Sequence, residues 1–149
     1  MIREDMIFIG ENVNTKKGAI SFIIEKACEN GLIDDKEEFQ KIVNERENQV
    51  STSVGYKIAI PHGKSTVVTE PFVAYLHAID EFEWDAGSNE KIHSVFMIGV
   101  PENDGDKTHL KYISKVSKRL IDDCFRTQLF GCKSSEQAFR LLELINKEL

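Results

Sequence analysis

His62 is the residue whose type and setting point most directly to chemistry. It follows the apolar run Ile58–Ile60 and stands between Pro61 and Gly63. Proline fixes its own φ and biases the preceding residue toward extended backbone, and glycine lets another backbone or an anion come close. We therefore expect a strand to end at Pro61 and the imidazole to be displayed rather than packed. Such a histidine can serve as a general base, a metal ligand or a nucleophile.

The sequence around His62 lacks the motifs of three common kinds of site. A phosphate-binding P-loop needs a glycine where Ile58 stands, five positions before Gly63. The four histidines have no close ligand neighbours, no Cys-x-x-Cys occurs, and the acidic segment 102–106 lacks the terminal glutamate of a calcium loop. No Gly-x-Ser-x-Gly elbow is present. The sequence thus indicates no metal site, although ligands remote in sequence stay open at this point.

Arg46 extends the apolar face of a helix expected over Asp35–Glu47. The residues at helical spacing on this face are Phe39, Ile42, Val43 and Arg46. Its guanidinium could bind an anion, or it could only cover apolar surface and offset the negative end of the helix dipole. The closeness of Arg46 to Thr52 and His62 in sequence favours anion binding.

His109 lies in the first turn of another predicted helix. The unsatisfied N–H groups and the positive dipole end of such a turn favour an anion and keep the imidazole neutral. The alternative is a histidine satisfied at the rim of the core. The remaining histidines have structural interpretations, since His77 lies inside an apolar strand and His93 begins the next one.

Taken together, these motifs resemble a known family. The motifs are Arg46-Glu47, Ser51-Thr52, Gly55, Ile58 to Lys64, Ile98 to Glu102 and His109-Leu110. In this order they resemble the enzyme IIA domain of the phosphoenolpyruvate-dependent sugar phosphotransferase system, fructose/mannitol type, over nearly the whole chain. The resemblance implies a phosphotransferase in which His62 accepts a phosphoryl group from the phosphocarrier protein HPr. The phosphohistidine then passes this group to the IIB domain of a sugar transporter.

The resemblance also implies which residues form the site. His109 and Arg46 match positions that line the phosphohistidine site in the family. Because phosphoryl transfer spreads charge over the phosphoryl oxygens, donors such as the Thr52 hydroxyl and backbone N–H groups are also needed. We therefore predict His62, His109 and Arg46 as catalytic residues and Thr52 and Gly63 as phosphate-binding residues, with no cofactor and no metal.

Two other functions stay open, and one residue departs from the family. A nitrogen-type relative could act as a regulatory switch that binds protein partners according to its phosphorylation state. A histidine-dependent enzyme acting on a small phosphorylated metabolite is the second alternative. The departure is Lys57, which stands where the family usually has a glycine; a lysine with positive φ is uncommon.

The coarse pattern predicts a three-layer α/β fold with helices on both faces of a central mixed β-sheet. A single domain over residues 1–149 is expected, because no linker divides the chain. Predicted strands are Lys57–Ile60, Phe72–Ile79 and Ile92–Val100, the last in the sheet centre because it is almost continuously apolar. Predicted helices cover residues 20–28, 35–47, 108–121 and 123–130, and a last one follows a Ser134/Gln137 capping box.

Composition and charge limit the partners. The net charge is −6 without a basic cluster, which argues against nucleic acid or an anionic membrane and suits proteins with basic docking faces. No apolar run is long enough to span a bilayer, and no signal peptide is recognised. Three cysteines, an odd number without a pairing motif, are expected as reduced thiols. We therefore expect a cytoplasmic location and no direct membrane insertion.

Overall fold

The computed structural model describes residues 1–103 and 108–149, and all statements on structure concern these residues. The acidic segment 102–106 lies mostly outside them. The strands are β1 (Ile2–Glu11), β2 (Ser53–Gly55), β3 (Ile58–Ala59), β4 (His62–Ser65), β5 (Phe72–Glu83) and β6 (Lys91–Pro101). The helices are α1 (Lys16–Glu29), α2 (Lys36–Gln49), α3 (Thr108–Leu120), α4 (Asp123–Phe130) and α5 (Ser135–Asn146).

The strands form one mixed sheet in the order β1-β5-β6-β3-β2, and β4 continues beside β6 beyond β3. β1 runs parallel to β5, and β5 runs antiparallel to β6. β3 and β4 are both parallel to β6, whereas β2 is antiparallel to β3. The predicted mixed sheet, with β6 at its centre, is confirmed. β1 was absent from the sequence-based prediction.

The sheet separates two hydrophobic clusters, one on each face. Alternation along β5 sends Phe72, Ala74 and Leu76 to the cluster under α1 and α2, and sends Val73 and Tyr75 to the cluster under α3, α4 and α5. Both clusters consist of fully buried aliphatic and aromatic side chains. The predicted three-layer arrangement with helices on both faces follows directly from this alternation.

Short polar side chains cap the helices, and one of these caps is the predicted Ser134/Gln137 box. Thr15 accepts a hydrogen bond from the N–H of Gly18 at 2.9 Å, and α1 begins at the next residue. Ser134 accepts from the N–H of Gln137 at 3.1 Å. The side-chain oxygen of Gln137 in turn accepts from the N–H of Lys133, at 2.9 Å. Among the described residues, none of the helices has the length and apolar character needed to cross a membrane.

The strand predicted to end at Pro61 instead resumes at His62, which corrects the sequence analysis. β3 and β4 form the same parallel ladder with β6, with Ala59 opposite Val95 and His62 opposite Ile98. Proline has no N–H to donate, but the Pro61 carbonyl accepts from the N–H of Ile98 at 3.1 Å. The interruption is therefore confined to two residues, Ile60 and Pro61, and the histidine begins a strand instead of lying in a free turn.

The hairpin that joins β2 to β3 has a strained two-residue turn. Gly55 pairs with Ile58, so Tyr56 and Lys57 form the loop. Their φ angles are 56° and 64°, the left-handed values that a type I′ turn requires at both central positions. Lys57 thus does adopt the positive φ that its family position demands. Its ammonium lies 2.9 Å from a carboxylate oxygen of Glu81.

We predict that Lys57→Gly makes the protein more stable than Lys57→Ala. Both variants lose the exposed ion pair, but only glycine adopts a left-handed backbone without a Cβ clash. The free energy of unfolding should therefore be about 1 kcal/mol higher for the glycine variant than for the alanine variant. Urea unfolding of the two variants measures this difference. Equal stability of the two, or a more stable alanine variant, would contradict a strained turn at Lys57.

Candidate functional site

His62 is held by a hydrogen bond to the backbone of Ile60, two residues before it. It begins β4 on the face of the sheet that α3 covers, and its side chain is half-buried. Its Nδ1 atom lies 3.0 Å from the carbonyl oxygen of Ile60. A carbonyl oxygen can only accept, so Nδ1 of the neutral ring must carry the proton. The lone pair of the imidazole is then on Nε2, which makes that atom the nucleophilic one.

His109 lies beside His62, although 46 residues separate them in the sequence. The two ring centroids are 6.2 Å apart, and the ring planes differ by 25°. His109 occupies the second position of α3, in the first turn, as the sequence analysis expected. Its Nδ1 atom is buried and has no hydrogen-bond partner among the described residues. The geometry therefore places a second imidazole within reach of a group attached to His62.

Both imidazoles favour the neutral form. Burial is the main cause that lowers the pKa of His62, and the positive charge of Arg46 lowers this pKa further. The bond to Ile60 acts in the opposite direction but does not outweigh burial. The pKa of His109 is also lowered, mainly by burial and then by the charge of Lys64. At neutral pH the ring of His62 is therefore an uncharged nucleophile.

Arg46 binds the backbone just beyond its helix and lies near His62, while its role in anion binding stays a prediction. It lies in the last turn of α2, where one guanidinium nitrogen donates to the carbonyl of Val50 at 2.8 Å. This bond satisfies a backbone carbonyl just beyond the helix. Arg46 is also close enough to His62 for its charge to lower the pKa of the imidazole. The guanidinium has further N–H groups with which it could contact an anion.

Gly63 allows α2 to pack closely against β4. A Cβ built on Gly63 would lie 3.0 Å from a ring carbon of Phe39 and 3.2 Å from methyl groups of Ile42 and Val43. The neighbouring Gly99, paired with Gly63 across the ladder, similarly lies against the ring of Phe72. The far side of the Gly63 backbone is thus occupied by a helix. Its role in phosphate binding stays a prediction that concerns the backbone N–H.

Thr52 is buried and bonded to a carboxylate. Its hydroxyl and its backbone N–H both donate to Glu47, the latter at 3.4 Å. Glu47 also accepts from the indole N–H of Trp84 at 3.3 Å and lies 3.0 Å from the ammonium of Lys16. For the Thr52 hydroxyl to donate to a phosphoryl group, it would first have to give up its hydrogen bond to Glu47. The proposed role of Thr52 in phosphate binding therefore stays a prediction.

Glu47 is the residue that the sequence analysis missed. Phe39, Val43 and Glu47 recur every four residues and are the buried residues of α2. The helical face thus ends in the buried carboxylate of Glu47, while Arg46 beside it is half-buried. The signal was present in the spacing, but a charged residue on an apolar stripe is normally assigned to the surface.

His77 and His93 form a separate cluster on the sheet. Their ring centroids are 4.7 Å apart, and both Nδ1 atoms lie within hydrogen-bonding distance of the Ser94 hydroxyl, at 3.0 and 2.7 Å. Burial, followed by the charge of His77, lowers the pKa of His93 to about 4. The ring of Phe130 packs against both histidines. These contacts agree with the structural interpretation of the two residues.

The described part of the chain contains no group of three or more histidine, cysteine, aspartate or glutamate side chains placed to hold a metal ion. The three cysteines are unpaired thiols.

The sequence matches a family model over residues 1–144, described as phosphoenolpyruvate-dependent sugar phosphotransferase system, EIIA 2. The fructose-specific EIIA component of Haloferax volcanii is 33% identical over 132 residues, which cover 89% of this chain and 85% of that protein. Longer proteins match as well. The multiphosphoryl transfer protein 1 of Escherichia coli K12 is 28% identical over 137 residues, so that the match covers 92% of this chain and 16% of that protein.

Solved structures show the same fold at lower identity. The nitrogen regulatory protein IIA-Ntr of Neisseria meningitidis has a TM-score of 0.84 and 23% identity, covering 95% of both chains. The enzyme IIAMTL in a complex with phosphorylated enzyme IIBMTL from Escherichia coli has a TM-score of 0.80 and 22% identity, covering 96% of this chain and 99% of that chain.

We predict that Arg46→Gln raises the pKa of His62. A positive charge near an imidazole disfavours the imidazolium, so its removal makes protonation easier. An NMR titration of the His62 ring resonances measures the change. The control is Arg119→Gln, because Arg119 lies in α3 and pairs with Glu148 at 2.9 Å instead of facing His62. A His62 pKa that falls or stays constant in Arg46→Gln would show that the guanidinium does not act on the imidazole.

Proposed function

The chain belongs to the enzyme IIA family of the phosphoenolpyruvate-dependent sugar phosphotransferase system. On this premise we propose that it relays a phosphoryl group through His62. The donor in this proposal is phosphorylated HPr, and the acceptor is a IIB domain of a sugar transporter. The observation that carries the proposal is the hydrogen bond between Nδ1 of His62 and the Ile60 carbonyl. It leaves a half-buried, neutral imidazole with its lone pair on Nε2.

The proposed reaction needs only the imidazole as a covalent carrier. The lone pair of Nε2 forms a bond to phosphorus while the bond between phosphorus and the donor imidazole nitrogen breaks, and the donor nitrogen keeps that electron pair. In the second step the IIB nucleophile forms a bond to phosphorus, and Nε2 of His62 keeps the electron pair of the breaking bond. No electron or proton carrier is required, so we propose no cofactor and no metal.

The residues around His62 fit the charge that develops in each transfer. Three phosphoryl oxygens carry negative charge in the transition state, and preorganised donors stabilise it. His109 is proposed to donate a hydrogen bond to these oxygens, and Arg46 to supply positive charge. The backbone N–H of Gly63 and the hydroxyl of Thr52 are the proposed secondary contacts, the latter only after it leaves Glu47.

Similarity to relatives favours a transport role over a regulatory one. The 33% identical relative is named as a fructose-specific EIIA component. The likeness to a nitrogen regulatory IIA protein, at 23% identity, concerns the fold. We therefore propose a cytoplasmic partner of a fructose- or mannitol-type IIB domain. A transfer assay with IIB domains of both sugar types tests this proposal. Transfer to one of them supports the transport role, whereas acceptance of a phosphoryl group without transfer to either would contradict it.

We predict that His62→Ala abolishes phosphoryl acceptance and leaves the fold intact. Incubation with phosphoenolpyruvate, enzyme I and HPr should label the unchanged protein with acid-labile phosphate and leave the variant unlabelled. His77→Ala is the control, because His77 is a half-buried histidine of the other cluster. Normal labelling of His62→Ala would place the acceptor elsewhere.

Because the pKa of His62 lies below its ordinary value of 6.5, acceptance should stay constant through neutral pH and fall only below that pKa.

We predict that His109→Ala and Arg46→Lys still accept a phosphoryl group but transfer it more slowly. Loss of a transition-state donor typically costs about a hundredfold in rate. Lysine keeps the charge of Arg46 but loses its planar fork, so its transfer should slow while its melting temperature changes little. Single-turnover transfer and thermal melting measure the two effects. Transfer at the normal rate in either variant would remove that residue from the proposed mechanism.

A further inference from the structure

We propose that Glu47 is a positioning residue for phosphoryl transfer, which holds the backbone that fixes His62. The inference rests on the proposed function of His62 and extends it to a carboxylate that has no contact with the imidazole. Glu47 ends the buried face of α2, and its side chain is 3% exposed. A buried carboxylate is costly unless it is paired and hydrogen-bonded, so its partners show what it organises.

Four donors surround the Glu47 carboxylate. Two of them belong to Thr52, which donates through both its hydroxyl and its N–H. The indole of Trp84 donates at 3.3 Å, and the ammonium of Lys16 lies at 3.0 Å. These partners come from the start of α1, the segment after α2 and the segment after β5. Glu47 therefore connects three parts of the chain at one point.

From Glu47, backbone hydrogen bonds lead to the imidazole. The carbonyl of Thr52 accepts from the N–H of Ile60 at 3.0 Å. The carbonyl of Ile60 accepts from Nδ1 of His62, also at 3.0 Å. A displacement of Thr52 would thus move the peptide that holds the ring and its tautomer. This is the route by which we infer that Glu47 acts on the nucleophile.

The same segment is fixed from two other directions. Arg46 donates to the carbonyl of Val50 at 2.8 Å. The hydroxyl of Ser51 donates to Asp85, whose carboxylate also lies 2.5 Å from the ammonium of Lys16. Burial would raise the pKa of Asp85, but the bonds from Lys16 and Ser51 outweigh burial and lower it. Lys16 thus bridges two carboxylates that anchor consecutive residues, Ser51 and Thr52.

Glu47 also acts on His62 through its charge. Its negative charge raises the pKa of His62, in opposition to the positive charge of Arg46. The effect is smaller than that of Arg46. Loss of this charge should therefore lower the pKa of His62, whereas the tautomer of the ring reports the positioning role separately.

The test is Glu47→Gln, which keeps the shape of the side chain and removes its charge. We expect single-turnover transfer from phosphorylated HPr to slow by at least about tenfold, because small displacements of a reacting group are costly. The pKa of His62 should fall, and the ¹⁵N shifts of its ring should show a mixture of tautomers. Glu148→Gln is the matched control, since it breaks the partly buried pair with Arg119 at 2.9 Å. The control should leave transfer and the His62 shifts unchanged.

A second variant tests the proposal if Glu47→Gln alone does not fold. Lys16→Met in the Glu47→Gln background removes both charges of the buried pair and leaves Asp85 bonded to the Ser51 hydroxyl, so it should recover part of any stability that is lost. A folded double variant that still transfers slowly supports the proposal. Normal transfer in either folded variant, together with a single tautomer of His62, would overturn it.

The NMR readouts also separate this inference from the proposed function. If the unchanged protein is not phosphorylated, the proposed relay fails. The tautomer and pKa of His62 in Glu47→Gln then still decide whether Glu47 positions the ring.

Discussion

The arrangement of the site depends on the hydrogen bond from Nδ1 of His62 to the carbonyl of Ile60. That peptide is itself fixed, because the N–H of Ile60 donates to Thr52 and the next carbonyl, that of Pro61, accepts from Ile98 in β6. Ile60 and Pro61 interrupt the strand, and this interruption lets the imidazole of His62 reach back to the carbonyl of Ile60. The bond determines the tautomer of the ring, and the tautomer determines which nitrogen is nucleophilic.

The charges around His62 are balanced so that the ring stays neutral yet lies near positive charge. Burial and Arg46 lower its pKa, while Glu47 and the backbone carbonyl act in the other direction. A neutral imidazole can accept a phosphoryl group, and the same positive charges that disfavour the imidazolium favour the phosphorylated form. One electrostatic arrangement thus prepares both states of the proposed carrier.

Local sequence signals predict most of the fold but miss elements that only tertiary pairing creates. The helices have apolar stripes and caps, so their positions were predicted well. β4 consists of His-Gly-Lys-Ser, which has little intrinsic strand character, and it is a strand because β6 pairs with it. β1 contains the charged run Arg3, Glu4 and Asp5 and two register shifts, which mask its alternation. At the site, the proximity of His109 to His62 came from the family resemblance. Glu47 was missed because a charged residue on an apolar stripe is normally assigned to the surface.

The central claim is that Nε2 of His62 is the atom that accepts the phosphoryl group. It is tested most directly by ³¹P–¹⁵N NMR of the protein with ¹⁵N-labelled histidine, phosphorylated by phosphoenolpyruvate, enzyme I and HPr. The account predicts a single coupling between phosphorus and Nε2 of His62, with Nδ1 still protonated and bonded to Ile60. A coupling to Nδ1 of His62, or to a nitrogen of another histidine, would contradict it.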